Sequence, residues 1–198
     1  MEVESKRSVH TSTREIEILK KYTCKNKVRM VTSTSLFDGH DASINIFRRL
    51  LQTRGAEIIH LGHNRSAHEV FSAAIQEDVQ GIAISSYQGG HCEYFKYLRK
   101  MLDEKRRGDI KICGGGGGVI TPQEVRELEN GGISKIYTPE DGQKLGLDGI
   151  VGHMLKTCDF LHKKWKKNDP DKDLLLARGL SLLENKEKSI DEILSLLP

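Results

Sequence analysis

The sequence predicts an α/β protein of flavodoxin-like (Rossmann-like) architecture: a five-stranded parallel sheet of order 2-1-3-4-5 with helices on both faces. Three observations carry that expectation. Short β-rich apolar runs recur at residues 28–34, 57–61, 81–85, 109–113 and 135–137. The segments between them carry helical apolar spacing, and strands alternating with helices of this length form βα units, because parallel neighbours need crossover connections. Five units that begin with a strand fit a sheet whose first and third strands are adjacent. That adjacency is a topological switch point, and ligands of open α/β sheets bind there, beyond the carboxyl ends of the strands.

Residues 1–27 are polar and charged, with only Ile16, Ile18 and Leu19 as an apolar cluster, and read as a flexible arm containing one helical turn. The first strand gives way at Phe37-Asp38-Gly39-His40-Asp41-Ala42-Ser43 to a helical pattern over 44–54, so His40 lies on a strand-to-helix loop. Ser66-Ala67-His68-Glu69 and Thr121-Pro122-Gln123-Glu124 are capping boxes, the second with Pro at the first helical position, and each opens a helix. Tyr94, Phe95, Leu98, Met101 and Leu102 repeat at helical spacing and bury one face of a further helix, which His91 starts. The last helix of the set is expected over 143–157. Residues 28–160 thus form the domain and 161–198 a linker and tail. Lys163-Lys164-Trp165-Lys166-Lys167-Asn168-Asp169-Pro170 reads as a solvated linker rather than a nucleic-acid patch. Beyond it, residues 174–183 and a helix opened by the capping box Ser189-Ile190-Asp191-Glu192 make a leucine-rich amphipathic pair whose exposed face calls for a partner.

The 198 residues suffice for one well-cored domain with appendages. With 31 basic and 28 acidic residues, bulk charge points neither to nucleic acid nor to a membrane surface. No apolar run approaches the ~18 residues of a membrane span, and Met1-Glu2-Val3-Glu4-Ser5-Lys6 lacks a signal core, so a cytoplasmic protein is expected. The four cysteines, Cys24, Cys92, Cys113 and Cys158, have no CxxC spacing. Reduced thiols are therefore expected, not a disulfide framework or a structural zinc site.

Three unusual loops fall at the carboxyl ends of the strands. In the first, Asp38 stands two residues before His40 and can accept a hydrogen bond from one ring nitrogen, presenting the other to a metal. The second is Ser85-Ser86-Tyr87-Gln88-Gly89-Gly90-His91, a hydroxyl-rich wall of small residues suited to a large flat polar ligand. The third, Gly114 to Gly118, weakens folding by entropy and so has a steric purpose: something bulky approaches the backbone there. It lacks the GxxxxGK[ST] of a phosphate loop and follows the fourth strand rather than the first, which disfavours nucleotide chemistry. The stretch Gly62-His63-Asn64-Arg65 carries no comparable signal.

Asp38-x-His40, Ser85-Ser86-Tyr87-Gln88-Gly89-Gly90-His91 and the glycine run ending Gly117-Gly118-Val119-Ile120 match in order and spacing a known signature. Over roughly residues 28–160 the sequence resembles the cobalamin-binding domain of the methylmalonyl-CoA mutase family, and within it the N-terminal domain of the fused isobutyryl-CoA mutase type. The resemblance implies adenosylcobalamin bound with its base displaced, His40 as lower axial ligand of cobalt and Asp38 as the residue that orients it. It further implies a slot for the displaced nucleotide tail, lined by Ser85 and by Gly116, Gly117 and Gly118. Gly39, Asp41, Ser43, Tyr87, Gly89 and Gly90 complete the expected cofactor-binding set. Ser43 replaces the final glycine of the family's DxHxxG, Tyr87 stands at the third position of its SxL, and Thr34 stands where some mutases carry a lysine.

The resemblance implies a cofactor part of a radical acyl-CoA mutase, a fragment or separate subunit without catalytic residues of its own. Its partner would be a TIM-barrel substrate domain of ~250 residues, which this length cannot hold. A GTP-binding chaperone domain beyond the tail, or a homodimer contact through it, would account for the leucines. The rival expectations are a cobalamin domain of a methyltransferase or a cobalamin-sensing regulator, and a non-enzymatic flavodoxin-like interaction module.

Overall fold

A computed structural model describes residues 12–162 and 174–195 in full and residues 172 and 173 as backbone. The expected linker, 163–170, and residues 1–11 lie outside the described residues. Strands β1 (Arg29–Ser35), β2 (Glu57–Arg65), β3 (Gly81–Ser85), β4 (Lys111–Gly115) and β5 (Lys135–Tyr137) form one parallel sheet of order β2-β1-β3-β4-β5, as expected. Alternation sorts the strand side chains to two faces. Val31, Ile82, Ile84, Ile112 and Ile136 pack with helices α3 (Ala67–Gln76), α4 (His91–Glu104) and α5 (Pro122–Asn130). On the other face, Met30, Ala83, Cys113 and Tyr137 pack with α2 (Ala42–Thr53) and α6 (Pro139–Cys158). Phe95, Leu51, Leu98, Leu102 and Leu155 are fully buried, each worth about 1.5–3 kcal/mol of apolar transfer.

Register sets the site. Thr34 pairs with Ser85, Ser85 with Gly115, and Gly115 with Tyr137, so four strand ends form one row at the carboxyl edge. The capping boxes at Ser66, Thr121 and Ser189 form as expected, and Thr138 with Asp141 adds another that starts α6 at Pro139, four residues before the expected 143. That helix breaks at Gly146, whose φ is 66°. β2 and β4 each run past their expected ends, so Gly62 to Arg65 and Gly114 to Gly115 are strand rather than loop.

The described part of the expected flexible arm is ordered. α1 (Thr13–Lys20) is closed by a capping box between Ser12 and Glu15, and it packs against α6 with Leu19 buried. Gly152 makes the approach close: a β-carbon there would stand 1.8 Å from the Leu19 carbonyl oxygen. After the helix, the Asp159 carboxylate accepts hydrogen bonds from Tyr22 Oη (2.7 Å) and from the backbone N–H groups of Lys25 (2.7 Å) and Asn26 (2.9 Å).

Part of the tail also packs onto the domain. In α7 (Lys172–Glu184), Arg178 Nε lies 2.6 Å from the buried Asp78 carboxylate, which also faces Arg107 Nη1 at 3.1 Å. Leu175 and Ala177 are buried, whereas Leu176 and Leu180, with Ile190 and Leu194 of α8 (Ile190–Leu194), are exposed. Among the described residues no helix is long and apolar enough to cross a membrane.

Candidate functional site

The chain leaves β1 through a tight turn in which Asp38 N–H donates to the Ser35 carbonyl (3.1 Å). Phe37 takes a left-handed φ of 63°, a strained state for a bulky residue, and its N–H donates to Asn64 Oδ1 at 2.7 Å. Thr34 Oγ1 donates to the Asp38 carbonyl (2.6 Å) and accepts from Asn64 N–H (2.9 Å). These bonds hold Asp38 just beyond the carboxyl end of β1, where its side chain is 0% exposed.

Both oxygens of the Asp38 carboxylate are engaged. Oδ1 accepts from His40 N–H (2.9 Å) and faces His40 Nδ1 (2.8 Å), and Oδ2 accepts from Tyr87 N–H (2.6 Å). An acceptor facing Nδ1 puts the hydrogen there and leaves the lone pair on Nε2. The imidazole is 69% exposed, and the Tyr87 ring stands 5.7 Å from it. One loop therefore presents an imidazole lone pair outward with a buried carboxylate behind it, the arrangement that fixes and strengthens a metal-ligating histidine.

Beside this loop a cavity of about 190 Å³ enters between the start of α2, the ends of β3, β4 and β5, and α6. Ser43, Ser85 and Tyr87 line it with Gly116 and Gly117, and Ala83, Cys113, Tyr137, Ile150 and Met154 line its buried part. The hydroxyls of Ser43 and Ser85 lie 3.0 Å apart. Burial pushes the Cys113 thiol up to about 12 and the Tyr137 phenol well above its usual value. Burial also holds His153, whose Nδ1 is 2.7 Å from Tyr137 Oη, below the ordinary histidine value. All three groups are uncharged at neutral pH, so the slot suits a neutral, largely apolar group.

The glycine run serves the protein's own packing more than the sequence suggested. A β-carbon on Gly114 would stand 2.4 Å from Phe95 Cζ, and one on Gly116 would stand 1.8 Å from the Ser86 carbonyl oxygen. Gly117 has a φ of +58° and passes under the Tyr87 ring. The bulky neighbours are thus Phe95 and the Ser86 backbone.

Of the expected set, Ser43, Ser85, Tyr87, Gly116 and Gly117 line the slot, and Asp38 and His40 form the pair beside it. Gly39, Asp41, Gly89, Gly90 and Gly118 are not among its lining residues. Asp41 and Gly90 instead cap the starts of α2 and α4, while Gly39, Gly89 and Gly118 have no atom near a β-carbon position. Ser86 turns inward, its Oγ 2.7 Å from Ser35 Oγ, because the β3–β4 ladder continues through its N–H to the Gly115 carbonyl (2.8 Å). Of the expected wall, Ser85 and Tyr87 line the slot, and Ser43 adds a hydroxyl beside Ser85. Sequence reading missed Asn64, whose φ of 56° was signalled only by an Asn-Arg step after an apolar run. It also missed the α6 residues of the slot, which read as ordinary helix.

Fold and site together define a flavodoxin-like α/β domain with an outward imidazole backed by a buried carboxylate and a neutral slot beside it. Residues 28–141 match the B12 binding domain, and the chain belongs to that family. Over 139 residues it is 63% identical to the fused isobutyryl-CoA mutase of Geobacillus kaustophilus, covering 70% of this chain and 13% of that protein. Identity to the Cupriavidus metallidurans fused isobutyryl-CoA mutase is 64% over 135 residues, covering 68% and 12%. Identity to the methylmalonyl-CoA mutase large subunit of Propionibacterium freudenreichii is 34% over 102 residues, covering 52% and 14%. The chain thus spans about an eighth of the fused mutases and corresponds to their cobalamin-binding part. Among solved structures, a cobalamin-binding protein from Desulfitobacterium hafniense shares the fold, with a TM-score of 0.56 at 17% identity over 66% of this chain and 59% of that one.

Asp38 is where the loop is most sensitive. Asp38→Asn keeps the shape but sets an uncharged amide behind the imidazole, and it is expected to lower cobalamin affinity about 10–100-fold, the usual cost of losing such a partner. Equilibrium titration followed by visible absorbance measures it; an unchanged affinity would separate Asp38 from cofactor binding.

Proposed function

We propose that this chain binds adenosylcobalamin with its own base displaced, His40 Nε2 being the lower axial ligand of cobalt. In this reading it is the cofactor part of a radical acyl-CoA mutase of the isobutyryl-CoA/n-butyryl-CoA or methylmalonyl-CoA/succinyl-CoA type. The observation that carries the proposal is the Asp38–His40 pair, whose free Nε2 faces outward next to a neutral slot. The residues present fit the group: an imidazole nitrogen suits a transition metal, and a benzimidazole-ended tail suits an uncharged, mostly apolar cavity. When bound, the cofactor supplies a cobalt–carbon bond whose homolysis starts radical chemistry.

The chain's residues position and shield. Asp38 fixes the ring's tautomer and orientation. The Ser43 and Ser85 hydroxyls offer hydrogen bonds at the slot, while Ala83, Ile150 and Met154 keep water from the tail. Gly39, Asp41, Gly89, Gly90 and Gly118 lie on the neighbouring loops, which the corrin face would meet. Identity of 63–64% to fused isobutyryl-CoA mutases favours this reading over a methyltransferase or sensor domain. A TIM-barrel domain would cover the other cofactor face and hold the acyl-CoA. A GTP-binding chaperone domain or a second copy would meet the exposed face of Leu176, Leu180, Ile190 and Leu194.

Titrating the purified chain with adenosylcobalamin tests the proposal. One equivalent is expected to bind with cobalt still nitrogen-ligated in wild type and with the absorption of a displaced, unreplaced base in His40→Ala; a bound cofactor that keeps its own base on cobalt, seen as the same nitrogen-ligated absorption in both, would overturn it.

A further inference from the structure

A second constellation lies on the opposite face of the sheet from the slot, where α4 meets α5. His91 begins α4 and its side chain is 3% exposed. Its Nδ1 lies 2.9 Å from the Gln88 carbonyl, an acceptor only, so a hydrogen sits on Nδ1 and the ring is oriented with Nε2 on the far side. That nitrogen is buried without a hydrogen-bond partner and points at the Glu124 carboxylate, 3.3 Å away. Glu124 Oε2 is already engaged by the Thr121 N–H (2.7 Å) and hydroxyl (2.8 Å) of its capping box. The half-buried Cys92 thiol completes the group, and one ligand atom from each residue lies within 4.8 Å of the others.

A buried imidazole nitrogen, a thiol and a carboxylate thus come within 4.8 Å of one another. Each is a metal donor, and the Nδ1–H to carbonyl bond is the contact that orients metal-ligating histidines. The surroundings are acidic: the carboxylates of Glu124, Glu127 and Glu93 act on the Cys92 thiol. Lys96, which opposes them, is itself paired with Glu127. A cation placed there would face these carboxylates and would draw the thiol into its thiolate form.

We propose that His91, Cys92 and Glu124 form a binding site for a divalent, borderline-soft metal of the zinc class, with water as fourth ligand. Nitrogen, sulfur and oxygen donors select zinc or cobalt(II) over magnesium or calcium, which take oxygen. Cysteine spacing gave no hint of it, because two ligands are adjacent in sequence and the third arrives only when α5 packs on α4. The metal would tie α4 and α5 to the 86–90 segment, through the Gln88 carbonyl that orients His91. It stands apart from His40 and needs no cobalamin.

The test uses the full chain free of cobalamin. Zinc is titrated in competition with a chromophoric chelator, and cobalt(II) is added separately to read the thiolate charge-transfer band. One high-affinity zinc per chain is expected, with a cobalt–thiolate band that survives in His40→Ala and Cys24→Ser. Cys92→Ser should abolish the band, and Cys92→Ser and Glu124→Gln should each weaken zinc by about 10-fold or more; circular dichroism checks that both fold. Three results would overturn the proposal: no stoichiometric zinc, as for an imidazolium simply paired with Glu124; zinc affinity unchanged in Cys92→Ser; or binding lost in His40→Ala, which would place the metal on the other histidine.

Discussion

Replacing His40 with alanine is expected to lower cobalamin affinity by about 100-fold or more while leaving the fold intact. The magnitude follows from the ligand's rank: losing a partner behind a ligand costs about 10–100-fold, and losing the ligand costs at least the upper end. The intact fold follows from exposure, because the ring is 69% exposed and substitutions at such surface positions change stability by only about 0.5 kcal/mol. Asp38 would still accept the backbone N–H of residue 40 and that of Tyr87. Titration and thermal melting are the checks. Equal affinity in the variant would mean that the imidazole is incidental.

Ala83→Leu is expected to separate stability from binding. Ala83 is 1% exposed and lines the slot, a cavity of about 190 Å³ into which a larger side chain would extend. Filling a cavity commonly stabilises by about 0.5–2 kcal/mol, so the melting temperature should hold or rise. The cofactor tail would lose its place. An aromatic group of that size buries about 150–250 Å². At about 25 cal/mol per Å² this is about 4–6 kcal/mol, or roughly 10³-fold or more in affinity. A variant that melts no lower than wild type yet binds cobalamin equally well would show that the slot does not receive the tail.

The sheet was legible because local signals and tertiary structure agree. Five apolar runs alternate with helices, two of them opened by capping boxes at Ser66 and Thr121, and a parallel sheet is what such units build. Asp38 and His40 were legible because the two partners stand two residues apart. What escaped reading depends on residues distant in sequence. α1 is held by the missing β-carbon of Gly152, which no window around Leu19 contains. The glycine run looked like a cradle for a ligand, whereas Phe95 and the Ser86 carbonyl occupy the space at Gly114 and Gly116. Asn64 joined the site because β2 extends beyond its apolar run and carries that residue next to the Asp38 turn.

The central claim is that a histidine of the chain, rather than the cofactor's own base, ligates cobalt from below. Electron paramagnetic resonance of bound cob(II)alamin, comparing unlabelled protein with protein carrying ¹⁵N-histidine, reads the axial nitrogen directly. The account predicts that each cobalt line changes from the triplet of ¹⁴N to the doublet of ¹⁵N, and that His40→Ala abolishes the effect. A triplet unchanged by the label would contradict it.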